Sequence, residues 1–284
     1  MAKSHGYTAR HRRLSAELKR MREEAGLSST YVAERMGWNQ TKVNRLERGE
    51  WKRLKEDDLR SLAALYQVTA PERQDALVAM AKQASTKGWW AHYTDVLGTG
   101  AYVALETTAT GLRFYSGMLV PGLLQTPNYA KAVIRGFGVT NEAEVQRRLE
   151  ARLRRQDLLE RESPTVEAVI DEAALRKNVG GPLTMSEQII HLCLLNQQGK
   201  ATIRVLPDSV GAHRGLGGHF VILDFANEQD DPVVFIDDGH KGFFREEPEE
   251  IESYRMTYDS VYESALSSTE SDTYMRKLID ELME

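Results

Sequence analysis

The sequence predicts an α+β protein: an all-α bundle of five short helices, followed by a mixed domain with a small, largely antiparallel sheet and flanking helices. Three observations carry that expectation. Up to residue 84, apolar residues recur at helical spacing between glycine and proline breaks. Beyond it, segments 165–170, 201–206, 219–224 and 232–237 read as strands, and helices from about Glu249 to Ser264 and from Thr269 onwards follow them. The charge divides at the same place. Residues 1–88 hold 18 Lys and Arg against 11 Asp and Glu, a net +7, while the remainder holds 19 against 31, a net −12. A basic end suits a polyanion, and an acidic remainder argues against a second nucleic-acid surface.

The helices follow in order. Residues 1–9 read as a short arm, with Arg10, Arg12 and Arg13 next, either reaching a phosphate or simply solvated. The first helix is expected from Leu14 to Glu24, burying Leu14, Leu18 and Met21 and ending at Gly26. From Ser29 to Arg48 two short helices meet at Gly37, where the chain needs a permissive backbone. Val32, Ala33 and Met36 share one face of the first, Val43 and Leu46 one face of the second. That leaves Asn39, Gln40, Thr41, Lys42, Asn44, Arg45 and Arg48 pointing elsewhere, a polar to basic face suited to base edges and phosphates. Past Gly49, Trp51 is expected to pack on the domain while Lys52 and Arg53 contact phosphates. A fourth helix from Glu56 to Tyr66 turns Leu59, Leu62, Ala63 and Tyr66 inward, and a fifth runs from Pro71 to about Ala84. The expected division is therefore 1–84, a junction at 85–88, and a C-terminal domain over 89–284.

Ala33, Gly37, Val43 and Leu46, with GLSSTYVAERMG running into NQTKVNRLERGE without a gap, resemble the helix-turn-helix of phage-repressor-like (XRE type) regulators. The resemblance implies a recognition helix in the major groove of double-stranded DNA. Gln40 and Thr41 near its start and Arg45 a turn later are best placed for base edges, followed by Asn39, Lys42 and Asn44. Ser29 stands where the family often has a phosphate-contacting Gln, and its hydroxyl can still bond a phosphate. Ser29, Lys52 and Arg53 are the expected phosphate contacts. Arg22 and Glu47 occupy positions that pair in that family as a buried ion pair. One such helix reads few base pairs, so a homodimer on a two-fold operator is expected.

The C-terminal part carries Glu106-Thr107, Arg113-Phe114-Tyr115, the run 120–126 (VPGLLQT), Tyr129-Ala130, Arg152, Arg155-Gln156, the run 171–176 (DEAALR), Gly180-Gly181-Pro182, Val205-Leu206-Pro207 and Gly211-Ala212-His213. In this order they are similar to the effector domain of WhiJ-like regulators of actinomycetes. That resemblance implies control by a small acidic partner protein in an antitoxin-like arrangement; a small-molecule effector is the alternative, and the dimer surface is expected in the same domain.

Read from the residues, 142–161 is a long charged helix broken at Ser163-Pro164, Thr184 to Gln197 is a helix capped by Thr184 and Glu187, and Asn227 to Asp230 is a turn. Gln125, Arg152, Arg155 and Gln156 are candidates for a ligand or partner, and a solvated helix face is the competing reading.

Other classes find little support. No run of eighteen apolar residues occurs, and the opening MAKSHGYTARHRR is polar and basic, so a cytoplasmic protein without a signal peptide or membrane span is expected. The single cysteine, Cys193, is flanked by leucines and reads as a buried small hydrophobe. His213, His219, His240, Asp237 and Asp238 supply ligand types at a spacing that fits no zinc pattern. Gly215-Leu216-Gly217-Gly218 lacks the following helix that would cradle a phosphate, and no nucleophile elbow or paired acidic motif occurs. No metal, cofactor or catalytic residue is therefore expected, and an enzyme with a DNA-binding appendage is the least supported reading.

Overall fold

The computed structural model describes residues 9–51, 53–85, 88–98, 100–226, 231–237 and 242–283. They form two compact units, Met1–His92 with Thr99–Leu105, and Tyr93–Gly98 with Glu106–Glu284. The division falls beyond the expected junction at 85–88, because residues 89–92 and 99–105 group with the first unit. Trp90 shows why: a Cβ on Gly88 or on Gly100 would lie 2.1 or 2.5 Å from its ring, so two glycines from both sides of the excursion close around one indole.

The first unit contains α1 (Ala9–Glu24), α2 (Ser29–Met36), α3 (Gln40–Glu47), α4 (Glu56–Leu65) and α5 (Pro71–Ser85). Its core joins Leu14, Leu18, Val32, Ala33, Val43, Leu46, Leu59, Leu62, Tyr66, Leu77 and Val78. Each fully buried leucine here contributes roughly 2 kcal/mol. The first helix starts earlier than Leu14, so Arg10, Arg12 and Arg13 sit on a helix and not on an arm. The reason is His11, which extends the stripe of Leu14 and Leu18 and is buried against Trp51, ring centroids 4.2 Å apart. Trp51 in turn donates its indole N–H to Ser15 at 2.9 Å.

The second unit continues with α6 (Thr94–Leu97), while α7 (Ala101–Thr108) leads into β1 (Gly111–Ser116). Next come α8 (Pro127–Gly136), α9 (Glu142–Gln156), β2 (Thr165–Asp171), α10 (Glu172–Arg176), α11 (Pro182–Gln197) and β3 (Thr202–Leu206). The chain ends with β4 (Phe220–Asp224), β5 (Val233–Asp237), β6 (Gly242–Arg245), α12 (Pro248–Ser264) and α13 (Ser268–Met283). The six strands make one mixed sheet in the order β3-β2-β1-β4-β5-β6. β1, β2 and β3 run parallel because helical crossovers join them, whereas β4, β5 and β6 alternate in direction. The sheet is thus α+β and mixed, with a parallel half that the strand pattern alone did not reveal.

One face of the sheet carries Tyr115, Val169, Leu206, Phe220, Ile222 and Val234 and is covered by α12 through Ile251, Tyr258 and Val261. Tyr258 lies beneath the Arg113 guanidinium at 5.6 Å, and Tyr262 beneath Arg204 at 4.1 Å, so tyrosines a turn apart cover the two cations that strand alternation turns to this side. Arg113 also forks onto Asp224 of β4 at 3.1 and 3.0 Å.

Two local expectations need correction. The α11 helix begins at Pro182 with Gly181 as its cap residue, and Thr184 donates back to the Gly180 carbonyl at 3.0 Å instead of capping. The α9 helix ends at Gln156, and 157–160 tightens into a 3₁₀ turn. The turn expected at 227–230 lies outside the described residues.

Candidate nucleic-acid interface

Local chemistry fixes the angle between α2 and α3. Ser28 caps α2 by accepting from the Tyr31 amide at 3.1 Å. Gly37 ends the helix at φ 65°, left-handed, and the Trp38 amide returns to the Ala33 carbonyl at 2.8 Å. Asn39 then opens α3, its side-chain oxygen accepting from the Lys42 amide at 2.7 Å. Val43 and Leu46 are buried, which turns Gln40, Thr41 and Arg45 to solvent and leaves Asn44 half-buried.

Behind this face, Arg22 of α1 clamps Glu47 of α3 with two hydrogen bonds, Nε at 2.6 Å and a terminal nitrogen at 3.0 Å, and donates to the Leu27 carbonyl at 2.7 Å. Both side chains are nearly buried, at 12% and 10% exposure, so the pair acts in a reduced dielectric. The hydrogen bond that Arg22 donates to Glu47 raises the Arg22 pKa further, and burial beside Glu47 raises that of Tyr66.

The cations on the exposed face are held lightly. Lys42 places its ammonium 3.5 Å above the Trp38 ring and 3.7 Å from Asp58. Arg45 lies 3.7 Å from Glu50 and is 56% exposed. Such exposed contacts are worth under about 1 kcal/mol each, less than a phosphate or guanine edge returns. Gln40 donates to Ser29 at 3.2 Å. Asn39, Thr41, Lys42, Arg45, Glu50 and Arg53 line a half-open cleft of about 330 Å³. Arg53 is exposed, and Lys52 lies outside the described residues.

In the second unit, the structure brings Gln125, Arg152, Arg155 and Gln156 together. Arg152 donates to the Gln125 side-chain oxygen, Gln156 donates to the Gln125 carbonyl at 2.6 Å, and the Gln125 amide donates to the Val120 carbonyl at 2.8 Å. Arg155 forks onto the fully buried Glu106 at 2.8 and 2.6 Å. These residues point inward, which removes the solvated-face reading. Spacing could not name Gln188, which grips the same loop from α11 by accepting from the Thr126 amide at 2.7 Å and donating to the Leu124 carbonyl at 2.8 Å.

Among the described residues, His213 and His219 do not gather into one cluster. His213 lies 3.4 Å from Asp171, which also accepts from the Tyr115 hydroxyl at 3.4 Å, while His219 and Asp237 are exposed and Asp238 and His240 lie outside the described residues. Among the described residues no three His, Cys, Asp or Glu side chains cluster as a metal site would. Cys193 is buried, and burial pushes its thiol up to about 12. No helix among the described residues is long and apolar enough to cross a membrane.

Two short helices locked at a glycine turn, with a capped second helix presenting amides and cations, define a helix-turn-helix DNA-binding domain, and the helix-turn-helix family model matches residues 13–76. Residues 99–277, more than half of the chain, match the family described as a domain of unknown function (DUF5753), and the chain belongs to that family. No curated protein and no solved structure matches the chain.

Proposed function

We propose that this protein is a sequence-specific transcriptional regulator that binds a two-fold operator as a homodimer and is controlled through its C-terminal domain. One observation carries the reading: α3 presents Gln40, Thr41 and Arg45 outward while the Arg22–Glu47 clamp holds its other side. Glutamine amides and arginine forks are the side chains that read adenine and guanine edges in the major groove. Asn39, Lys42 and Asn44 supply flanking contacts, and Ser29, Lys52 and Arg53 bind phosphates. Asn39 keeps its amide nitrogen for DNA, because only its oxygen is used by the cap. Such a regulator works in the cytoplasm, where its DNA is.

Dimerisation supplies the second half-site. Leu183, Ile190 and Leu194 of α11 are exposed at helical spacing, an aliphatic stripe that suits the same stripe on a second copy.

Control has two readings. Resemblance to WhiJ-like regulators favours a small acidic partner protein, antitoxin-like, docking on the C-terminal domain. The inward-facing arginine network at Gln125 favours a small-molecule effector, since a group held in this way meets a small ligand more readily than a protein face.

The proposal is tested by selecting genomic fragments with the purified full-length protein. Enrichment of a palindromic site is the expected result, and fragments enriched without sequence preference would contradict it.

A further inference from the structure

Arg148, Arg152 and Arg155 follow one another along α9, Arg148 with its side chain 40% exposed and the other two half-buried. Arg148 is paired with Glu144 of its own helix at 2.7 Å, and Arg155 with Glu106. Arg152, between them, has no carboxylate partner among the described residues; its hydrogen bond goes to the neutral side-chain oxygen of Gln125. Burial, and then the like charge of Arg155, push its pKa down to about 10, and Asp237 opposes them only from beyond ion-pair distance. Arginine offers five N–H donors, so most of this fork is unused.

A guanidinium partly drawn from water without a paired carboxylate carries a desolvation cost. Elsewhere in this unit Arg113 is paired with Asp224 and Arg155 with Glu106, while Arg204 gives its fork to the Ala265 and Leu266 carbonyls. Arg152 has a single neutral acceptor, in rigid surroundings. Gln125 is fixed by Val120 and Gln156, Gln188 holds the Leu124 and Thr126 backbone, and the Tyr129 hydroxyl accepts from the Val120 amide at 3.2 Å. The turn at Pro121 then places Gly122 against the arginines. A Cβ there would stand 3.7 Å from an Arg155 terminal nitrogen and 3.9 Å from Arg152 Nε, so the absent side chain leaves those edges uncovered.

We propose that Arg152, oriented by Gln125 and flanked by Gly122, binds the oxyanion group of a small ligand, a carboxylate or a phosphate. The anion supplies a paired counter-charge that no described carboxylate gives Arg152, and a fork already held in place binds it with little ordering cost. This deepens the effector reading of the C-terminal domain, while the binding itself is independent of DNA.

The test is thermal unfolding of the full-length protein in potassium phosphate, potassium succinate and potassium chloride at equal ionic strength, for wild type, Arg152→Gln and Arg148→Gln. Phosphate also stabilises proteins by exclusion from their surface, an effect common to all three chains. In wild type and Arg148→Gln, phosphate or succinate should raise the midpoint by several degrees over chloride, and Arg152→Gln should lose that increment while its midpoint in chloride is unchanged or higher. A larger increment with phosphate assigns the ligand as a phosphate ester, and one with succinate as a carboxylate. Equal increments in all three chains, no increment in wild type, or failure of Arg152→Gln to fold would overturn the proposal. Operator affinity measured with and without the effective anion separates the two claims: an unchanged affinity removes the effector role and leaves the binding site standing.

Discussion

Gln40 donates to the Ser29 hydroxyl at 3.2 Å, joining the first residue of α3 to the first residue of α2 across the turn. The side chain proposed to read a base and the one proposed to bind a phosphate are therefore coupled before DNA arrives. The bond is exposed and weak, so Gln40 can leave it for an adenine edge while Ser29 turns to the backbone. Ser29→Ala should weaken binding to operator and non-operator DNA alike, by a few fold, without shifting base preference. Titrations against both DNAs measure this.

The Arg22–Glu47 clamp makes a stability prediction. Glu47→Ala strands a nearly buried guanidinium and should destabilise the first unit by about 3 kcal/mol, read as a lower urea midpoint. Replacing both partners, Arg22→Met with Glu47→Leu, should recover much of that loss because no charge is left unpaired.

His11 makes the first unit acid-sensitive. Burial pushes it down from 6.5 to about 4, so between those values the unfolded chain binds a proton that the folded unit does not. Stability is then full above pH 6.5 and falls as the pH drops towards 4, by on the order of 2 kcal/mol. His11→Phe keeps the contact with Trp51 and should flatten that slope. Urea midpoints over the same pH range test it.

Arg53 tests the proposed phosphate contacts. Arg53→Ala should lower the slope of log affinity against log salt by about one and weaken every DNA similarly, as measured by binding at several salt concentrations.

The α11 stripe predicts the oligomer. Ile190→Glu should leave the fold intact, because Ile190 is 45% exposed, and convert the proposed dimer to a monomer in sedimentation. Operator binding should then weaken far more than binding to a single half-site.

The helical unit is legible in the sequence because its determinants are local: Gly37 for the turn, and the spacing of Leu59, Leu62, Ala63 and Tyr66. The early start of α1 was hidden because the burial of His11 depends on Trp51, distant in sequence. In the sheet, β2 to β5 stand out as apolar runs, while β1, the centre of the sheet, carries Arg113 on a buried face and disguises its period until Asp224 is brought beside it. The ligand candidates Gln125, Arg152, Arg155 and Gln156 could be named individually. Only the folded loop shows that Gln125 gathers Arg152 and Gln156, and that Glu106 neutralises one arginine and leaves the other.

The central claim, that the outward face of α3 reads base sequence, is tested most directly by the ratio of operator to non-operator affinity in wild type and in Gln40→Ala with Arg45→Ala. The account predicts that the double variant keeps its fold and its non-specific affinity within a few fold while the ratio collapses, each lost contact removing ~1–3 kcal/mol of discrimination. A folded double variant with an undiminished ratio would mean that base sequence is read elsewhere on the molecule.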